Sequence, residues 1–132
     1  MTPRFMLDTD SVSYALRGVG RVAENIKQHS PSEIYISVIT VAELRYGAEL
    51  RQARRLQALI DVFCNSVEAL PFDENAAARF GILAAMLSKK GLPIGAFDVL
   101  IAAHALARDL TLVTNNQKHF RRIPGLRIAN WV

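Results

Sequence analysis

Phe5-Met-Leu-Asp8-Thr-Asp10-Ser-Val-Ser13 is the stretch on which the fold turns: a short apolar run stops at an acid, and residues suited to capping a helix follow at once. The apolar part reads as a short buried strand, Phe5 to Asp8. Thr9, Asp10, Ser11 and Ser13 offer N-caps for a helix reaching about Leu16, and Gly18-Val-Gly20 ends it. A strand feeding a helix through an acid is the unit to look for in the rest of the chain.

The alternation recurs. A second helix is expected from about Arg21 to His29, stopping before Pro31, and Glu33-Ile-Tyr-Ile-Ser37 alternates with β-forming residues as a second strand. From Val38 the apolar period lengthens to three or four residues through Val41, Leu44, Ala48, Leu56, Leu59, Ile60 and Phe63, which predicts a long helix or a helical hairpin. Val67-Glu-Ala-Leu70 reads as a short strand, Glu74 to Lys90 as an amphipathic helix closed by Gly91, and Gly95 to Arg108 as a further helix. Leu110-Thr-Leu-Val-Thr114 is the clearest strand, and Leu126 to Ala129 is expected as an edge strand. Strands separated by helices require right-handed crossovers. The expected fold is therefore α/β: a mainly parallel central sheet of four to five strands flanked by helices, in one domain over residues 1–132.

Composition narrows the class. The chain has 132 residues, 51% of them hydrophobic, enough for a sizeable core without disulfides or a structural metal. Its single Cys64 has no internal partner, is read as a small buried hydrophobe, and points to a reducing compartment. The acid at position 8 interrupts the N-terminal apolar run too early for a signal peptide, and Val99 to Leu106 is too short and carries His104, so no membrane span is expected. The expected location is cytoplasmic. A net charge of +4 hints only mildly at an anionic partner.

In parallel sheets, sites form beyond the carboxyl ends of the strands, so acids and amides there carry the chemistry. Asp8 closes the first strand, where it can project into that crevice or cap the next helix; Asp10 follows two residues later. Glu43 stands in Thr40-Val-Ala-Glu43, whose local reading is a capping box, with the carboxylate returning to the Thr40 backbone N–H. Asp98 lies near the start of a helix so apolar that it must be buried on most faces, which makes an unpaired acid costly unless it caps the helix or binds a cation. Thr114-Asn115-Asn116 follows the last clear strand; paired Asn commonly mark turns. Together Asp8, Glu43, Asp98 and Asn116 offer the hard oxygen donors that Mg²⁺ or Mn²⁺ takes. His29, His104 and His119 show no zinc-ligand spacing with Cys64, and His104 reads as a core or interface residue.

Leu7-Asp8-Thr9-Asp10, Ile39-Thr-Val-Ala-Glu43-Leu-Arg-Tyr-Gly47, Pro93-Ile-Gly-Ala-Phe-Asp98-Val-Leu-Ile-Ala-Ala-His-Ala105 and Leu112-Val-Thr-Asn-Asn116 with Phe120 resemble, in that order, the PIN domain of VapC toxins. The resemblance spans essentially the whole chain, including the tail Ile123-Pro-Gly-Leu-Arg-Ile-Ala-Asn-Trp131. It implies a PIN-like fold and a Mg²⁺- or Mn²⁺-dependent endoribonuclease, the toxin of a type II toxin–antitoxin pair, cutting a structured RNA such as tRNA or rRNA. Asp8, Glu43 and Asp98 match the three acidic site positions, with Asp8 and Asp98 as metal ligands, and Asn116 matches the fourth. Thr9 and Thr114 match hydroxyl residues lining the site, beside Asp10 and Asn115. Asp10 is a departure, since relatives usually carry Asn there. The family also implies a VapB-like antitoxin laid across apolar helices, here around residues 41–63, and a homodimer that assembles with it into a larger complex.

Cations to meet RNA phosphates are sought in two clusters, Arg45, Arg51, Arg54 and Arg55 on one helical segment and Lys118, Arg121, Arg122 and Arg127 near the tail; Arg45, Lys118 and Arg121 are the leading candidates. If Asp8, Asp10, Glu43 and Asp98 share one pocket, 16 basic residues face only 8 acids elsewhere. Two other readings exist. Asp8 and Asp10 resemble the Asp-x-Asp opening of haloacid-dehalogenase phosphatases, and a PIN-like module without activity could simply bind RNA or protein.

Overall fold

A computed structural model describes residues 3–132; Met1 and Thr2, included in the expected domain range, lie outside the described residues. Five strands form one sheet: β1 (Phe5–Leu7), β2 (Ile34–Ser37), β3 (Glu68–Leu70), β4 (Thr111–Val113) and β5 (Ile128–Ala129). Their spatial order is β3-β2-β1-β4-β5. All the pairings are parallel, with Leu7 level with Ile36 on one side and Val113 on the other. The chain builds outward from β1 through β2 to β3, then returns to place β4 on the other side of β1. That reversal opens a crevice beyond the carboxyl ends of β1 and β4, where such sheets bind ligands.

Seven α-helices among the described residues cover the sheet: α1 (Thr9–Arg17), α2 (Val22–Lys27), α3 (Val38–Leu50), α4 (Arg54–Ser66), α5 (Glu74–Lys89), α6 (Ala96–Ala107) and α7 (Gln117–Phe120). Successive strand residues point to opposite faces and so feed two cores. Met6 and Leu112 pack with Leu83, Leu87, Ile101 and Phe120 under α5 to α7, whereas Leu7, Ile36 and Val113 pack with Val12, Leu44 and Ile60 under α1 to α4. Cys64 is half-buried against the second core. Both faces of the sheet being covered accounts for the near-continuous apolar runs of its strands.

Several boundaries differ from the sequence reading for local reasons. Glu33 belongs to a 3₁₀ turn, Pro31–Glu33, where its side chain accepts from the Ser30 backbone N–H at 2.8 Å, so β2 begins at Ile34. The Val38 segment is a hairpin, broken where Gln52 takes a left-handed φ of 50°. The single turn α7 was not expected, being too short to leave a periodic signal. At Gly20, φ is +64° and a Cβ would stand 3.0 Å from the Val132 backbone, so only glycine lets the tail close over the end of α1. No helix among the described residues is long and apolar enough to cross a membrane.

Candidate active site

The local chemistry of each strand end explains where the acids sit. Asp8 follows β1 directly, tied to β4 by its backbone N–H donating to the Val113 carbonyl at 3.0 Å. Its carboxylate is the N-cap of α1, accepting from the Ser11 N–H at 2.8 Å. The cap thus holds the carboxylate at the carboxyl end of β1, beside the crevice. Ser11 is itself buried and donates its hydroxyl to the Val113 carbonyl at 3.0 Å, locking α1 onto the end of β4. Asp8 is only 4% exposed, and burial raises its pKa above the usual carboxylate range against opposing hydrogen bonds from Thr114 and Ser11.

Glu43 corrects the sequence reading. The N-cap of α3 is Ser37, whose hydroxyl accepts from the Ile39 N–H at 3.0 Å, and Thr40 is buried one turn inside the helix. There is no Thr40–Glu43 capping box. Glu43 instead points across to α1, where the Thr9 hydroxyl donates to its Oε1 at 2.6 Å, with the Thr9 and Thr40 hydroxyls 3.4 Å apart. Burial raises the Glu43 pKa, and the charges of Asp10 and Asp8 raise it further.

Asp98 occupies the first turn of α6 and is half-buried. Its pKa is raised by burial, then by the charges of Glu43 and Asp10, and is held down in part by His119. Asp8 before α1, exposed Asp10 on α1, Glu43 on α3 and Asp98 on α6 are thus near enough to act on one another electrostatically. Among the described residues the only ion pairs are Arg45–Asp61 and Arg127–Asp109, so no cationic side chain is paired with any of the four.

The fourth expected position lies on the loop after β4. Thr114 is buried, and its hydroxyl accepts from the Asn116 backbone N–H at 3.0 Å. The Asn116 side-chain amide bonds to His119 Nδ1 at 3.0 Å. Asn115 is exposed and accepts at Oδ1 from Asn130 at 3.0 Å, so its side chain braces the C-terminal tail. The sequence offers Ser11 only as a capping residue and gives His119 no role at the crevice; the i to i+3 spacing of Asn116 and His119 is the signal from which the latter could have been found.

Carboxylate and amide oxygens without a basic partner form a donor set that a hard divalent cation fits. Among the described residues no group of three or more His, Cys, Asp or Glu side chains is gathered closely enough to hold a metal ion by itself. Such a group is not required where water and a substrate phosphate supply the remaining oxygens.

Among the cationic candidates, Arg45 donates to Asp61 at 2.6 Å and to the Gln57 side chain at 2.8 Å. Lys118 and Arg121 are exposed and make no ion pair among the described residues.

The sequence model of the PIN domain matches residues 5–126. The tRNA(fMet)-specific endonuclease VapC of Salmonella typhimurium is 40% identical, with 97% of this chain and 98% of that protein covered. Ribonuclease VapC2 of Rickettsia felis is 38% identical over 96% of this chain and 97% of its own length. Among solved structures, DNA-bound VapBC from Salmonella typhimurium superposes with a TM-score of 0.92 at 39% identity, covering 99% of this chain and 100% of that one. The PIN match over residues 5–126, relatives 38–40% identical over nearly the whole chain and the shared fold set the haloacid-dehalogenase reading aside: the chain belongs to the PIN-domain family, among its VapC-type toxin ribonucleases.

Proposed function

We propose that the acid cluster beyond β1 and β4 is a Mg²⁺ or Mn²⁺ site at which this chain, acting as a single domain of residues 1–132, hydrolyses phosphodiester bonds in a structured RNA. The observation that carries the reading is the placement of three acids by separate elements, Asp8 at the end of β1, Glu43 on α3 and Asp98 in the first turn of α6, with no basic side chain among the described residues paired to them; burial and neighbouring carboxylates push the pKa of each upward. Asp8 and Asp98 would hold the cation, with Asn116 adding an amide oxygen. A bound divalent cation supplies positive charge to the scissile phosphate and makes water a stronger nucleophile. Glu43 keeps one carboxylate oxygen on Thr9 and has the other to accept the proton of the attacking water. Asp10, at the rim, adds negative charge beside Glu43 and Asp98. Thr9, Thr114 and Asn115 shape the wall, while Lys118 and Arg121 meet RNA phosphates beyond it.

The substrate class is tRNA or rRNA, and the tRNA specificity in the name of the Salmonella relative supports it. The partner is a VapB-like antitoxin, supported by the VapBC complexes with which the fold superposes. Tyr46 and Leu50 on α3 and Val62 on α4 are each at least 64% exposed, an apolar surface suited to such a partner and to the dimer that assembles with it. A cytoplasmic location agrees with an RNA target and one unpaired cysteine.

The test is incubation of purified, antitoxin-free protein with total RNA in Mg²⁺, in Mn²⁺ and in EDTA, followed by mapping of fragment ends. Discrete fragments that vanish in EDTA support the reading and identify the RNA. Fragments unchanged in EDTA overturn it.

A further inference from the structure

His119 has no part in the roles given above. It sits in α7, the single turn that begins immediately after Asn116, and the i to i+3 spacing brings its ring back over that residue. The next residue, Phe120, is 1% exposed and anchors the turn in the core. The Asn116 backbone is fixed by the bond from its N–H to the Thr114 hydroxyl, and its side chain by the 3.0 Å bond from Nδ2 to His119 Nδ1.

A primary amide has two chemically opposite ends: the NH₂ group donates and the carbonyl oxygen accepts. In a crowd of carboxylates, the amino end is the one drawn inward when no cation is present, and in that orientation Asn116 cannot act as a metal ligand. A ring nitrogen that accepts from Nδ2 removes this choice, because it leaves Oδ1 as the end still available. We propose that His119 is a positioning residue that engages the Asn116 amino group and thereby reserves the Asn116 carbonyl oxygen for the cation. This inference rests on the metal-dependent ribonuclease reading of the same site.

Three substitutions separate the ring's functions. His119→Asn keeps an acceptor near the position of Nδ1, His119→Gln moves it to the position of Nε2, and His119→Ala removes it. In metal-free protein, the ¹⁵N-resolved signals of the Asn116 side-chain amide are expected to shift in His119→Ala and His119→Gln and to return in His119→Asn. In cleavage of a mapped RNA, His119→Ala and His119→Gln should lower kcat on the order of 10-fold with KM little changed, and His119→Asn should recover most of it. Unmoved Asn116 signals in His119→Ala, a loss confined to KM, or equal rescue by Gln and Asn would each overturn the inference while the ribonuclease reading stands. Wild-type protein that cuts no RNA in Mg²⁺ or Mn²⁺ would overturn that reading, and the positioning role with it. Thermal unfolding of each variant confirms that the folded proteins are being compared.

Discussion

The hydroxyl of Thr9 donates a 2.6 Å hydrogen bond to Oε1 of Glu43, joining the first turn of α1 to the middle of α3 across 34 residues of sequence. This bond orients the carboxylate assigned to the attacking water. Loss of a hydrogen bond to a charged group costs about 1.5–3 kcal/mol in a well-ordered setting, and the partial exposure of this pair argues for the lower end. Thr9→Val should therefore slow RNA cleavage about 10-fold, and Thr9→Ser, which keeps the hydroxyl, should stay near wild type. Steady-state cleavage of a defined oligonucleotide distinguishes them; equal rates for Val and wild type would remove Thr9 from the site.

Activity and stability are expected to move in opposite directions at Asp8. Its raised pKa means that the folded state disfavours the charged carboxylate. The stability tied to this group is full below the unfolded pKa of about 3.9 and is lost as pH rises through the raised folded value, so the wild type carries the deficit at neutral pH. Asp8→Asn keeps an oxygen to cap Ser11 and removes the charge. It should abolish cleavage yet unfold at an equal or higher temperature at neutral pH. A clear loss of stability would show that the carboxylate is needed for the fold.

A bound cation should stabilise the folded chain by linkage, by about 2.7 kcal/mol at a hundred times its Kd. Mn²⁺ is expected to raise the melting temperature of the wild type, and EDTA to reverse the rise. Asp98→Asn should abolish the effect. An equal rise in the wild type and in the Asp98 variant would place the ion elsewhere.

His104 provides a pH signature away from the chemistry. It is fully buried, its Nδ1 lies 2.8 Å from the Ser37 hydroxyl, and the Pro71 carbonyl does not complete a well-formed hydrogen bond to Nε2. Burial, and then the charge of Arg108, lowers its pKa below the ordinary histidine value. The unfolded chain therefore takes up this proton first, and the associated stability, present above about pH 6.5, is lost as pH falls toward the depressed folded value. Urea unfolding of the wild type at pH 7.5 and 5.5 should show this loss, at most about 1.4 kcal/mol per pH unit, against a flatter His104→Gln. Parallel profiles would assign the pH dependence to other groups.

RNA contact is expected near the tail. Lys118→Ala and Arg121→Ala should each weaken binding of a non-cleaved RNA and lower the slope of log K against log salt by nearly one, while Arg45→Ala, already engaged by Asp61, changes that slope little. Fluorescence anisotropy across a salt series measures this. A larger slope change for Arg45 than for Lys118 would move the RNA track to α3 and α4.

The sequence disclosed the parallel α/β order because β1, β2, β4 and β5 are short, largely apolar runs ended by a polar residue, and the long helices between them have a lengthened period. It disclosed the acids of the crevice as well, but not how they are held. The Thr40-Val-Ala-Glu43 stretch has the local form of a capping box, yet the β2–α3 junction places the N-cap at Ser37 and frees Glu43 for Thr9 on another helix. That choice is made by tertiary packing, to which local spacing is blind. The turn α7 escaped notice because four residues show no periodicity, and with it went the His119 contact to Asn116. The net charge of +4 is a sum over unlike parts: setting Asp8, Asp10, Glu43 and Asp98 aside leaves 16 basic residues against 8 acids in the rest of the chain.

The most direct measurement is single-turnover cleavage of one mapped RNA by wild type and by Asp98→Asn, in Mn²⁺ and in EDTA, with circular dichroism establishing that both are folded. Cleavage by the wild type in Mn²⁺ alone, and none by the folded variant under either condition, is the expected result. Cleavage by Asp98→Asn at the wild-type rate, or by the wild type in EDTA, would contradict a metal-dependent ribonuclease site at these acids.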